Sequence, residues 1–134
     1  MGNKRNLSEV IKRGKVYVWK GNYAIVRAGR PCRGAVAVIH DKTETTCVIE
    51  SSRCRSENCS ATDFGWKIIT FDMVLPFELV GFLAAVTAAL AKAGIGICAL
   101  SSYSTDHIMV KARDLDKALA ALRKIGFMID GTER

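Results

Sequence analysis

The sequence predicts an α+β fold for this chain of 134 residues, and three observations carry the prediction. From Lys67 onward the pattern runs strand, helix, strand, strand, helix, strand. Apolar stripes at helical spacing recur over residues 79–90 and 115–125. Short runs rich in β-formers, at 16–20, 23–28, 35–39 and 45–49, fill the first half. A βαββαβ order is the ferredoxin-like topology, an antiparallel sheet with both helices on one face. The other face then needs cover from another element or another subunit.

Each element has a local reason. Asn6-Leu7-Ser8-Glu9 reads as a capped helix start, so a short helix is expected over 7–13, ended by Gly14. Residues 16–20 alternate, Gly21-Asn22 is a turn signal, and 23–28 makes a second strand, so a hairpin is expected there. Asp41-Lys42-Thr43-Glu44 separates two further strands. The polar stretch 50–65 reads as a connecting loop and as the boundary between two lobes. The next strand is expected over 67–73, with Ile69, Phe71 and Met73 on one face, before Pro76 breaks it. Leu79, Leu83, Val86 and Leu90 form a buried helical stripe, stopped by Gly94. Strands at 95–100 and 107–112 follow. Asp114 is expected to cap a helix carrying Leu115, Ala118, Leu119, Leu122 and Ile125, and residues 127–129 close the sheet.

Bulk properties narrow the function classes. The apolar run 79–91 is too short to span a bilayer and is closed by Glu78 and Lys92, so no membrane association is expected. The first dozen residues lack the apolar core of a secretory signal, and five cysteines is an odd number, which fits a reduced, cytoplasmic chain. Residues 1–33 hold nine Lys and Arg against Glu9 alone, although the whole chain has a formal charge of +7. That basic third, with Tyr17, Trp19 and Tyr23 interleaved, gives the alternative reading of a nucleic-acid-associated regulator. No reader motif accompanies it, and a solvated basic face is the stronger explanation of the charge.

Catalytic and cofactor signals are absent from the pattern. No acid–base pair or nucleophile arrangement stands out, so the chain is expected not to be an enzyme. Gly94-Ile95-Gly96 leaves a helix and lacks the third glycine of a dinucleotide fingerprint, and no cofactor is expected. Cys54 and Cys59, with Cys47 and His40 near in sequence, are spaced more loosely than the tight Cys pairs of zinc sites. Metal-free thiols are the expected reading.

Several segments resemble one family. Gly81-Phe82-Leu83 resembles the Gly-x-Leu that opens the first helix of ACT domains, small regulatory folds that bind amino acids in many metabolic enzymes. Residues 90–97, LAKAGIGI, resemble the family's L-x-x-A-G-I-x-I helix exit. Residues 102–111, SYSTDHIMVK, are similar to the ST-[YF]-x-T-D-[YF]-[IL]-L-V-K segment of one branch, with His107 in place of the usual aromatic. That branch comprises small stand-alone prokaryotic ACT proteins, and it resembles the C-terminal part of animal cytosolic arginine sensors. Gly65-Trp66-Lys67 and residues 22–26 fit it too. The resemblance is strong over 65–127 and loose before it.

The resemblance implies a shortened, β-rich ACT-like lobe over 14–62 followed by a C-terminal ACT domain over 63–131. It implies a regulatory protein that binds an amino acid or similar metabolite and shifts a conformational or assembly equilibrium. A homodimer is expected, since open ferredoxin-like sheets pair edges or faces. The ligand's carboxylate suits a helix N-terminus, here Leu79, Val80, Gly81 and Phe82, where Gly81 allows close approach. Its ammonium suits Asp106, matched to the branch's Thr-Asp, with hydroxyls from Ser101, Ser102 and Thr105.

Overall fold

The computed structural model describes residues 6–130. Residues 1–5, with Lys4 and Arg5 of the basic segment, and residue 131 of the expected C-terminal domain lie outside them. The chain divides into two compact units. One comprises residues 6–20 and 68–130 of the described chain, the other Gly21–Lys67. The division therefore differs from 14–62 and 63–131: the strand at 15–18 joins the unit that holds both long helices.

In the first unit, α1 (Leu7–Lys12) is capped by Asn6, whose side chain accepts from the Ser8 amide at 3.0 Å. It leads into β1 (Lys15–Val18). The last residues of β5 (Cys59–Phe71) follow, then α2 (Phe82–Lys92), β6 (Ile97–Ser101), β7 (Asp106–Lys111), α3 (Leu115–Ile125) and β8 (Met128–Ile129). The strand order is β8-β1-β5-β7-β6. This is the expected α+β, βαββαβ arrangement with one strand added: β1 lies between β5 and β8. It runs antiparallel to β5 and parallel to β8, with Val16 opposite both Phe71 and Ile129.

Alternation explains the core. Val16 and Val18, Ile69 and Phe71, and Ile108 and Val110 point to one face and cluster with Phe82, Val86, Leu90, Ala118 and Leu122 of the helices. Phe71, Phe82 and Phe127 form a triad with ring centroids 5.1, 5.2 and 5.9 Å apart. The buried stripe of α2 is thus Phe82, Val86 and Leu90, and the expected Leu79 lies ahead of the helix. Asp114 precedes α3 but makes no side-chain capping bond, because a short 3-10 turn at Ala112–Asp114 already leads into the helix.

The second unit is all strand and turn. Its order is β3 (Ala37–His40), β4 (Thr45–Glu50), β2 (Tyr23–Ala28) and the first part of β5, each pair antiparallel. The hairpin expected from Gly21-Asn22 does not form: β1 and β2 each pair with β5, over different stretches. The loop expected over 50–65 is likewise mostly ordered. Two 3-10 turns, Ser51–Arg53 and Ser56–Asn58, lead into a strand that begins at Cys59. Residues 60–64 are exposed, so their polarity marks a solvent-facing strand rather than a loop. A small cluster of Ala24, Val26, Ala28, Cys47 and Ile49 fills this unit's core.

The first unit has one position where space, not backbone angle, demands glycine. A Cβ at Gly14 would lie 2.8 Å from Met73 Cε and 2.8 Å from two ring carbons of Phe127. The methionine tip can move, but the Phe127 ring is buried in the aromatic triad. Gly14→Ala is expected to destabilise the protein by about 1–3 kcal/mol in denaturant unfolding. Gly29→Ala, where nothing lies within 4 Å, is the control and should leave the midpoint almost unchanged. Equal midpoints for the two variants would refute the packing argument.

Candidate functional site

A cleft of about 280 Å³ opens in the first unit between three segments. These are the turn after β5 (Leu75, Pro76, Phe77 and Leu79), the start of α2 (Gly81 to Ala84), and the β6–β7 turn (Ser101, Ser102, Tyr103, Thr105 and Asp106). Its volume lies just below the usual range of small-molecule sites, the size for a metabolite rather than a large cofactor.

Gly81 sets the helix start. It adopts φ +90°, a left-handed conformation that side-chain-bearing residues rarely take, and it occupies the N-cap position. Its carbonyl accepts the Ala85 amide at 2.9 Å. The amides of Phe82, Leu83 and Ala84 precede any in-helix acceptor, and no side chain caps them. The positive end of the helix dipole therefore faces a cleft wall without a protein carboxylate bound to it.

The opposite wall is fixed by short polar contacts. Thr105 Oγ1 donates to the Phe71 carbonyl at 2.6 Å, and the Leu75 amide donates to the Ser104 carbonyl at 2.7 Å. Ser101 and Asp106 face each other across the β6–β7 pair, and Ser101 Oγ donates to Asp106 Oδ1 at 2.6 Å. Among the described residues, Asp106 is the only charged one lining the cleft. One serine bond leaves most of its acceptor sites open.

Of the residues named from sequence, Leu79, Gly81, Phe82, Ser101, Ser102, Thr105 and Asp106 line this cleft. Val80 does not; it is 85% exposed. The helix begins three residues later than Leu79, so the available amides are those of 82–84 rather than 79–82. Sequence reasoning missed Leu75, Pro76, Phe77, Leu83, Ala84 and Tyr103. Phe77 and Tyr103 meet edge to face, with ring centroids 5.2 Å apart, although both rings are largely exposed.

His107 ties the polar turn to the sheet. Trp19 Nε1 donates to Thr70 Oγ1 at 2.6 Å, and Thr70 Oγ1 lies 2.7 Å from His107 Nδ1. His107 Nε2 lies 3.1 Å from Ser102 Oγ, which donates to the Thr105 carbonyl at 3.1 Å. One proton assignment satisfies every partner: Thr70 donates to Nδ1, and a neutral Nε2–H donates to Ser102. Trp19 and His107 also meet edge to face at 6.3 Å.

Burial holds the His107 imidazole below its ordinary value of 6.5, and the charge of nearby Asp106 opposes this. The folded protein therefore binds fewer protons here than the unfolded chain does. The stability this provides is complete above the unfolded value and is lost as pH falls through the folded one. Lowering the pH from about 7.5 to about 5.5 should cost the native protein more of its thermal midpoint than it costs His107→Gln. Parallel profiles for the two proteins would exclude this role.

The first unit is a small α+β domain with a cleft of metabolite size. Residues 61–124 match the family model of the ACT domain. The fold recurs in solved structures. A protein of Agobacterium tumefaciens is 23% identical, with a TM-score of 0.76 over 91% of this chain and 96% of that one. A Vibrio cholerae protein of unknown function is 22% identical, with a TM-score of 0.76 over 90% and 95%. The regulatory subunit of aspartate kinase from Thermus thermophilus, in a ligand-free form, is 12% identical, with a TM-score of 0.65 over 86% and 97%. No curated protein matches the sequence. Among the described residues, no helix is long and apolar enough to cross a membrane.

Proposed function

We propose that the protein is a cytoplasmic, non-catalytic regulator that binds a free amino acid in the cleft between α2 and the β6–β7 turn. The observation that carries this reading is that Gly81 and Asp106, 25 residues apart in sequence, line one cleft of metabolite size. The open amides of the first helical turn suit a carboxylate. Asp106 suits an ammonium, and Ser101, Ser102, Tyr103 and Thr105 supply hydroxyls beside it. The similarity to regulatory parts of aspartate kinases supports the same reading.

The lining also selects among amino acids. Among the described residues no cationic side chain lines the cleft, so a ligand with an acidic side chain would bring a second carboxylate that finds no partner among them. Leu75, Pro76, Phe77 and Leu83 favour a ligand whose side chain is apolar. Such a ligand regulates only by binding one conformational or assembly state more tightly than another. A homodimer is the assembly we propose.

Thermal-shift and calorimetric screening of the twenty amino acids at millimolar concentration tests this reading. At least one apolar amino acid should raise the unfolding midpoint, and aspartate and glutamate should not. Asp106→Asn should weaken the binding by about tenfold or more, the loss of one charge-assisted bond. If none of the twenty shifts the midpoint, amino-acid sensing at this cleft is wrong; unchanged affinity in the variant would remove Asp106 from the site.

A further inference from the structure

The rim of the cleft carries an aromatic pair that the core does not use. Among the described residues of the first unit, five large apolar side chains are exposed: Val74, Phe77, Val80, Tyr103 and Met128. All but Met128 stand on the β5–α2 connection or the β6–β7 turn, which frame the cleft, and Phe77 and Tyr103 line it. Their rings are 74% and 83% exposed, yet they meet edge to face with centroids 5.2 Å apart. The Leu75 amide donates to the Ser104 carbonyl at 2.7 Å and ties the same two turns together. Backbone, rather than burial, therefore keeps the rings side by side. Phe82, also on the lining, is already committed: it is buried and packs on Phe71 and Phe127.

Single exposed apolar side chains are ordinary, but two adjoining rings at a cleft are surface that a ligand can cover. An edge-to-face pair uses one edge and one face, and leaves other ring faces and edges open. A third ring can add contacts of the same kind. An aliphatic chain covers the same area but has no ring quadrupole to align. Each aromatic contact strengthens binding about 2- to 10-fold beyond the area it buries. A cationic side chain would also favour a ring face. Among the described residues, however, Asp106 is the single carboxylate on the lining, and the ligand's α-ammonium takes it.

We infer that Phe77 and Tyr103 are the specificity-determining residues of the cleft, an aromatic clamp that selects an amino acid with an aromatic side chain. This rests on the reading of the cleft as an amino-acid site and adds the class of ligand to it. The clamp works through the rings, so the Tyr103 hydroxyl is dispensable for selection.

Calorimetric titration of the full chain tests it with phenylalanine, leucine and cyclohexylalanine, whose saturated ring has a similar outline without the quadrupole. Phenylalanine should bind about threefold or more tightly than cyclohexylalanine. Phe77→Leu and Tyr103→Leu should each lower the affinity for phenylalanine about 2- to 10-fold and leave that for leucine within about twofold. Tyr103→Phe should keep the preference. Both rings are exposed, so the unliganded variants should unfold at the parent midpoint. If leucine binds and phenylalanine is no tighter than cyclohexylalanine, the clamp is wrong while the amino-acid site stands. The same holds if arginine or lysine binds tightest, or if the leucine variants lose both ligands equally. If none of the twenty amino acids binds, the site itself is wrong and the clamp falls with it.

Discussion

Both walls of the cleft depend on Phe71. Its fully buried ring packs edge to face on Phe82, the first residue of α2, and against Phe127 beyond α3. Each such aromatic pair adds about 0.5–1.5 kcal/mol beyond the area it buries. Its carbonyl, at the end of β5, accepts the Thr105 hydroxyl that anchors the β6–β7 turn. One residue thus fixes the start of the helix through its side chain and the polar turn through its backbone. Gly81 completes the geometry, since its left-handed conformation at the N-cap leads the chain into the helix at Phe82, beside the cleft.

How much was legible in the sequence follows from what each signal measures. The βαββαβ order was readable because both helices and most strands bury alternating or helically spaced side chains. The start of α2 was misplaced because Leu79 continues the helical spacing while packing from a turn, and periodicity cannot separate the two. The first half of β5 was missed because its exposed residues carry no apolar alternation. The false hairpin had correct strands and a correct turn signal, but pairing is a long-range choice: β5 offered Val16 and Tyr23 better partners in Phe71 and Trp66. At the site, Gly81 and Asp106 were legible through family resemblance. Phe77 and Tyr103 were not, because exposed aromatics in turns carry no pattern.

His107, where the family's pattern has an aromatic, has a physical role on the sheet face away from the helices. An aromatic carbon ring there could pack edge-on against Trp19 as the imidazole does, yet it would leave Thr70 and Ser102 without their shared partner. Thr70 is almost fully buried, so its hydroxyl needs both a donor and an acceptor nearby. Trp19 supplies the first and the imidazole the second. The substitution therefore exchanges apolar packing for a directed hydrogen-bond chain that ends in the β6–β7 turn. A chain of this kind restrains a turn more narrowly than ring packing, because each bond fixes an angle as well as a distance.

The two units invest their stability differently, and this bears on regulation. The first has a core of aromatic and branched side chains; the second relies on small residues and thiols. Segments with few large buried contacts open at lower free energy than the rest of a protein. Yet the strand β5 is a single continuous stretch of 13 residues that begins at Cys59 and ends at Phe71. Its last carbonyl holds a wall of the cleft, and its first residue, Cys59, packs against the core of the second unit. Any ligand or modification that favours one conformation of this strand acts on a segment belonging to both units. Coupling between two sites requires only that both bias the same two-state element. In this chain β5 is a continuous strand whose residues belong to both units.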